Sequence, residues 1–296
     1  MKNINFVSNR WKYTLLPLAI IVIGIVFLVI NGGFNYDVEF LGGTRMQLEL
    51  GTTYDNDELA KHIETETGVK VTVQKTAVDT QVIIKTPPVE NLDEVMNAIY
   101  TKYSIDESAL MSSSSASASF GQEVQQKTIM YAIIAIICIL IYIAIRFEWI
   151  SALMAIIGLA INVAVMYAAY AITNIPMNTT FIAAMLTVIG YSINNTIVIF
   201  DRIRENMKKL GGKKNSVIAD IVNVSIKESM GRTINSTITT LITIVLLYII
   251  GVNAIKEFAL PLIIGIVIGA YTSIFIAGTF WAAWKQSIKD AKANKR

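Results

Sequence analysis

Residues 183–206 read AAMLTVIGYSINNTIVIFDRIREN. An apolar run carries two adjacent amides, Asn194 and Asn195, then breaks at Asp201 into alternating charge. About 20 mostly apolar residues are enough to cross hydrocarbon, and amides at that depth are costly enough to need a reason. The rest of the chain has the same character. Of 296 residues, 54% are hydrophobic and only 16% charged, with mean hydropathy +0.54. A soluble chain of this length needs more charge to cover its surface, so the composition implies a multi-span membrane protein.

Six spans are expected: Thr14–Ile30, Thr128–Ile145, Ile150–Ile172, Asn178–Phe200, Thr233–Gly251 and Phe258–Trp281. This divides the chain into a first segment and span (1–30), an external α+β domain (31–127) and a five-span bundle (128–284). The bundle includes a cytoplasmic segment, 201–232, and a basic cytoplasmic tail follows (285–296). With the N-terminus inside, the internal segments hold 17 of the 25 Lys and Arg, and the external ones 8. The external domain carries 15 acidic residues against seven basic ones. Both termini are therefore expected in the cytoplasm. The first apolar block is followed by NGGFNYDVEF and no small-residue cleavage site, which reads as a retained anchor. Cys138 falls within a span, so no disulfide framework is expected outside.

In the external domain, TRMQLEL alternates like a half-buried strand, and DNDELAKHIETETG reads as a helix stopped at Gly68. VKVTVQKT and TQVIIKT read as strands, with a hairpin around Ala77–Asp79, and NLDEVMNAIYTKY as a second helix. The β-α-β-β-α order suggests the ferredoxin-like plan. MSSSSASASFG reads either as a Ser-rich linker or as a fourth strand of small residues. His62 reads as a solvated or partly packed side chain. Nothing here has the spacing of a catalytic or metal site.

In the membrane half, Thr187, Tyr191 and Asn195 recur at four-residue spacing, which places them on one face beside Asn194. The fifth span opens with Arg232 and continues with Thr233, Ser236, Thr237, Thr240 and Thr243, and the third contains Asn162. Such groups either hydrogen-bond between helices or line an ion path. Gly265, Gly269, Ser273 and Ala277 form a small-residue row that reads as a close-packing face. Segment 201–232 reads as a charged helix continuing the fourth span, a break at Gly211–Gly212 and a second amphipathic stretch, and its cations suit anionic membrane lipid or a partner protein. No nucleotide-binding loop is present, and neither cofactor nor nucleic acid is indicated.

Five stretches point to a family: RFEW (Arg146–Trp149), AAMLTVIGYSIN running into TIVIFDRIREN, GRTINSTITT (Gly231–Thr240), IGAYTSIFIAG (Ile268–Gly278) and FLGGT (Phe40–Thr44). Over nearly the whole chain they resemble the SecD/SecF family of protein-export membrane proteins, within the RND superfamily, and its SecF branch in particular. The resemblance implies a six-helix half-bundle of the RND type. A SecD partner would supply six more spans. It further implies association with the Sec translocon (SecYEG) in the cytoplasmic (inner) membrane. There the protein would assist late export of preproteins by the proton motive force or a sodium gradient, and it would not be an enzyme. Glu39, Gly42, Gly43 and Thr44 match the motif opening the external domain, Glu39 being a conservative change. The family's fourth-span acid is Asn195 here, a second acid in the third span is Asn162, and the arginine is kept as Arg232.

An amide has no proton to release. Three explanations stay open: the titrating acid lies in the SecD half, the coupling uses Na⁺ with amide oxygens among its ligands, or the chain is uncoupled and acts as a scaffold. A further alternative is a half-transporter of the same superfamily exporting lipid or small molecules, which requires an apolar pocket in the external domain.

Overall fold

The computed structural model describes residues 5–76, 78–89, 91–210 and 217–293. It divides into two units, Met1–Asn35 with Ala132–Arg296, and Tyr36–Tyr131.

The first unit is helical. It is built from α1 (Arg10–Ile30), the C-terminal part of a helix that starts in the other unit (Ala118–Arg146), and four further long helical segments. These are Trp149–Thr173, Thr179–Leu210, Ile218–Ile250, and a last segment made of Asn253–Thr272, a π-helical turn at Ser273–Ala277 and Gly278–Ala293. Six helices among the described residues are long and apolar enough to cross a membrane.

The second unit contains α2 (Val38–Leu41), β1 (Gly43–Glu49), α3 (Asn56–Thr67), β2 (Thr72–Lys75), β3 (Gln81–Thr86), α4 (Leu92–Tyr103) and β4 (Leu110–Ala116). In chain order the long helices of the first unit are then α5 (Ala118–Arg146), α6 (Trp149–Thr173), α7 (Thr179–Leu210), α8 (Ile218–Ile250), α9 (Asn253–Thr272) and α10 (Gly278–Ala293).

Helices α1 and α5 expose Leu15, Val22, Ile25, Ile133, Ile137 and Ile141, and α8 exposes Ile242, Leu246 and Ile250. Such surfaces are costly in water and neutral in hydrocarbon. The bundle's interior is formed by α6, α7 and α9, through Met166, Phe181, Val188 and Ile266 among others. Helix α7 has 32 residues, about 48 Å at 1.5 Å per residue, against a hydrocarbon core of about 30 Å. Its charged end therefore projects beyond the lipid core. The fourth span continues as helix past Phe200, as the charged stretch after it suggests, and the second amphipathic stretch joins the fifth span in one helix that begins at Ile218. Polar side chains hold the two extensions together. Arg202 meets Glu228 at 2.7 Å, and Asn206 donates to Glu228 at 2.7 Å and to Ser225 at 3.0 Å. The expected break at Gly211–Gly212 lies outside the described residues.

The sheet unit is a four-stranded antiparallel sheet in the order β2-β3-β1-β4. Thr44, Met46 and Leu48 of β1 face Thr86, Ile84 and Val82 of β3. Met46, Leu48, Val82 and Ile84 pack under Leu59 and Ile63 of α3 and Val95 and Ile99 of α4, all fully buried. The Ser-rich stretch is a strand, β4, pairing with β1 through Thr44↔Ser115 and Met46↔Ser113. Strands β2 and β3 are antiparallel neighbours, as a hairpin requires; Ala77 lies outside the described residues.

The FLGGT motif is explained by this geometry. Gly43 has φ +124°, and a Cβ there would lie 2.1 Å from the Thr86 carbonyl oxygen. Thr44 is buried and donates to the Ser115 hydroxyl at 3.0 Å. Asp37, just upstream, caps α2 through the Val38 N–H and is buried against Lys85 at 2.8 Å and Arg45 at 3.6 Å. Gly43→Ala is expected to destabilise the sheet unit by at least about 2 kcal/mol, since it adds a steric clash to a left-handed backbone. Gly51→Ala, at φ +69° in open space, should cost only about 1–2 kcal/mol. Hydrogen exchange on β1 in the two variants measures the difference, and equal losses would refute the steric account.

At the unit's turns, hydrogen bonds from the Thr80 and Gln81 side chains hold the Glu49 carboxyl below its ordinary value, and Ser108 does the same for Asp106. Groups lowered in this way stabilise the folded state above the ordinary carboxylate range. They lose that contribution as pH falls through their folded values. Protection of β1 and β4 should therefore weaken on acidification below about pH 4, and less so in Asp106→Asn.

Candidate functional site: the polar interior of the bundle

The close approach of α7 and α9 organises this region. A Cβ on Gly265 would lie 2.4 Å from Val188, and one on Gly269 2.1 Å from the Ser192 hydroxyl. One turn further, Ser273 and Thr196 share a hydroxyl hydrogen bond of 2.8 Å. The expected small-residue row is thus the groove into which Val188, Ser192 and Thr196 fit, four-residue ridge against four-residue ridge. Beside it, Thr272 donates to the Asn162 side-chain oxygen at 2.6 Å. The π-turn Ser273–Ala277 begins here. Its wider winding interrupts the regular ladder, a feature frequent at functional positions in membrane helices.

The singled-out residues are arranged in three ways. Asn162 and Asn195 are buried, 1% and 3% exposed. Tyr191 and Thr237 meet across the α7–α8 contact at 3.4 Å. Asn194 and Arg232 point out of the bundle. Arg232 has no ion pair or hydrogen bond among the described residues, and the structure does not bring it to Asn195. The face proposed for Thr187, Tyr191 and Asn195 is also corrected: Thr187 is exposed, Tyr191 half-buried and Asn195 buried. Four residues turn a helix by about 40° more than a full circle, so two such steps carry the row from outside to inside.

The polar interior is incompletely satisfied. The Asn195 Nδ2, Ser192 Oγ and Thr233 Oγ1 atoms are buried with no hydrogen-bond partner. By contrast, the outward hydroxyls of α8 bond back to their own helix, Ser236 to Thr233 at 3.0 Å and Thr240 to Ser236 at 2.9 Å, so they are cheap to present to lipid or to another helix. Ser192, Thr196 and Thr272 were not anticipated from the sequence. Their signal is the four-residue spacing of small hydroxyls opposite the glycine row. No group of three or more His, Cys, Asp or Glu suited to a metal occurs among the described residues. The interior can orient hydrogen bonds and water, and its side chains are all neutral.

A polytopic helical membrane protein with a neutral polar core and a separate α+β unit is the class these observations define. Residues 96–287 match the family model described as protein export membrane protein SecD/SecF, C-terminal. The chain is 35% identical to protein translocase subunit SecF of Calditerrivibrio nitroreducens, over 93% of this chain and 92% of that one. It is 33% identical to protein translocase subunit SecDF of Bacillus subtilis over 95% of this chain, but spans only 38% of that relative's length. The crystal structure of SecDF from Thermus thermophilus, described as a translocon-associated membrane protein, superposes with a TM-score of 0.83 at 28% identity, covering 96% of this chain and 39% of that one. The chain belongs to the SecD/SecF family. That family is one of protein translocase subunits and not of catalytic enzymes.

Because the Asn195 amide hydrogens have no partner among the described residues, Asn195→Leu is expected to leave the thermal stability of the purified protein unchanged or to raise it. Asn162→Leu removes the side-chain acceptor of Thr272, leaving only the longer contact to the Gly269 carbonyl, and should cost about 1 kcal/mol. Thermal unfolding in detergent compares them, and equal destabilisation would mean that Asn195 is held by contacts within the chain.

Proposed function

We propose that this protein is an auxiliary subunit of the Sec translocase that works with a SecD partner to assist preprotein export across the cytoplasmic (inner) membrane, driven by an ion gradient. The observation that carries the reading is the outward polar face of α7 and α8. Arg232, a guanidinium with no carboxylate partner among the described residues, is exposed on α8, as are the back-bonded Ser236 on the same helix and Asn194 on α7. Charge at this depth persists where a partner supplies its complement. The fused SecDF relatives, of which the chain spans 38%, support a second half carrying that complement. In this reading the coupling acid lies in the partner, Asn195 stays a passive polar group inside this half, and both termini are cytoplasmic. Segment 31–127 is then the external domain, and its β-α-β-β-α-β order with strands arranged β2-β3-β1-β4 supports the ferredoxin-like plan. The lipid-exporter alternative needs an apolar pocket there, whereas a cavity in that unit is lined by His62, Glu66, Glu94 and Lys102.

Export into inverted membrane vesicles, with ATP saturating and the H⁺ or Na⁺ gradient collapsed separately, tests the proposal. Native export is expected to slow when one gradient is lost, and indifference to both would leave a scaffold. Arg232→Ala should reduce co-purification with the partner by about tenfold or more, since an unpaired buried carboxylate costs about 2–5 kcal/mol. Undiminished recovery would separate Arg232 from the interface.

A further inference from the structure

A cavity of about 340 Å³ opens at the end of the bundle where the α5–α6 turn meets the charged part of α7 and the start of α10. Phe147, Phe200, Ile203 and Met207 form its apolar wall. Its polar groups are unequally matched. Both carboxylates already have cations: Glu148 meets Lys285 at 2.5 Å, and Asp201 accepts from Arg146 at 3.0 and 3.2 Å. Two donors are left over. The indole N–H of Trp281, a residue only 4% exposed, has no acceptor, and Arg204 on the rim has no ion pair among the described residues. A site with neutralised acids, a surplus guanidinium and a buried unpartnered N–H lacks one thing, an anionic acceptor.

The surroundings indicate where that acceptor comes from. Ile145 and Trp149 beside the mouth are 83% and 62% exposed, and Trp149 stacks edge-on against Trp284 with centroids 5.9 Å apart. Tryptophans of this kind mark the headgroup level, and basic pockets between spanning helices at that level hold anionic headgroups. The apolar wall suits glycerol and upper acyl carbons, which a free phosphate lacks. We infer that this cavity binds the headgroup of an anionic phospholipid, with Arg204 and the Trp281 N–H on the phosphate and the acyl chains leaving past Trp149. The site is separate from the polar interior, and its test is independent of export.

The full chain carrying only Trp281 (Trp11, Trp149 and Trp284 replaced by Phe) is reconstituted in phosphatidylcholine vesicles. Increasing fractions of phosphatidylglycerol or phosphatidylcholine, brominated near the headgroup, are then introduced. Fluorescence quenching is expected to be half complete at about fivefold less phosphatidylglycerol than phosphatidylcholine, the factor one cation contributes at an anionic surface. Arg204→Gln should remove that preference. Equal quenching by the two lipids, or a preference unchanged in Arg204→Gln, overturns the site. Loss of the preference on adding millimolar inorganic phosphate assigns the cavity to a soluble anion and overturns the lipid. Native mass spectrometry of the unmodified chain from mixed-lipid micelles repeats the comparison without the Trp replacements: retention of phosphatidylglycerol over phosphatidylcholine supports the site, and equal retention refutes it.

Discussion

The contact on which the bundle depends is the approach of α7 to α9 at Gly265 and Gly269. With no side chain at either position, Val188 and Ser192 reach the α9 backbone, and dispersion between close helices replaces the hydrophobic drive that lipid does not supply. That closeness has a polar consequence. It brings Ser192, Thr196, Thr272, Ser273 and Asn162 into one dry region, where side chains bond to one another and to helix carbonyls, Thr196 to Ser192 and Thr272 to Gly269. Asn162 with Thr272 and Thr196 with Ser273 are the pairs that result. The π-turn begins at the residue that makes the second of them.

The same arrangement separates neutral from charged chemistry. Among the described residues of the half-bundle the buried polar side chains are amides, hydroxyls and the Trp281 indole, whose interactions do not depend on pH. Charge is confined to the ends of the helices and to the outward face of α8. A carboxylate in place of Asn195 would be buried among hydroxyls with no cation to meet it, since Arg232 lies on another face, and its desolvation would raise its proton affinity. An amide there avoids that cost and gives up the charge switch. The unpartnered Asn195 Nδ2 is the residue of the exchange, a donor with a fixed position and no acceptor of its own.

Much of this architecture was legible in the sequence for a plain reason. Span number follows from apolar length, and the helices and strands of the sheet unit up to α4 follow from alternation and capping. Strand β4 was not decidable, because an edge strand of serines has no apolar period, and its pairing is carried by backbone groups that every residue has. The faces of α7 were misread at Thr187 because four-residue spacing drifts around the helix. Asn194 and Asn195, identical in type and adjacent, could be told apart only once the neighbours of α7 were in place. The Trp281 cavity was invisible for a different reason: its walls come from three stretches, 147–151, 200–207 and 281–285, that no local pattern connects.

The charged extensions of α7 and α8 set a limit on how the bundle can move. Arg202, Asn206, Ser225 and Glu228 bind the two extensions side by side, and Asn223 of α8 accepts from the backbone N–H groups of Phe6 and Val7 at 2.8 and 3.2 Å. Shifting α7 alone along its axis by one turn would break this network together with the glycine groove. Moving α7 and α8 as a pair keeps the contacts between their extensions but strains the groove, the Asn223 contacts to Phe6 and Val7, and the Arg146–Asp201 pair. Within the membrane, Tyr191 and Thr237 join the same two helices at 3.4 Å. The α7–α8 pair, with Arg232 and Asn194 exposed, is thus joined both inside the membrane and at its charged end, so a load on either helix is shared by the other.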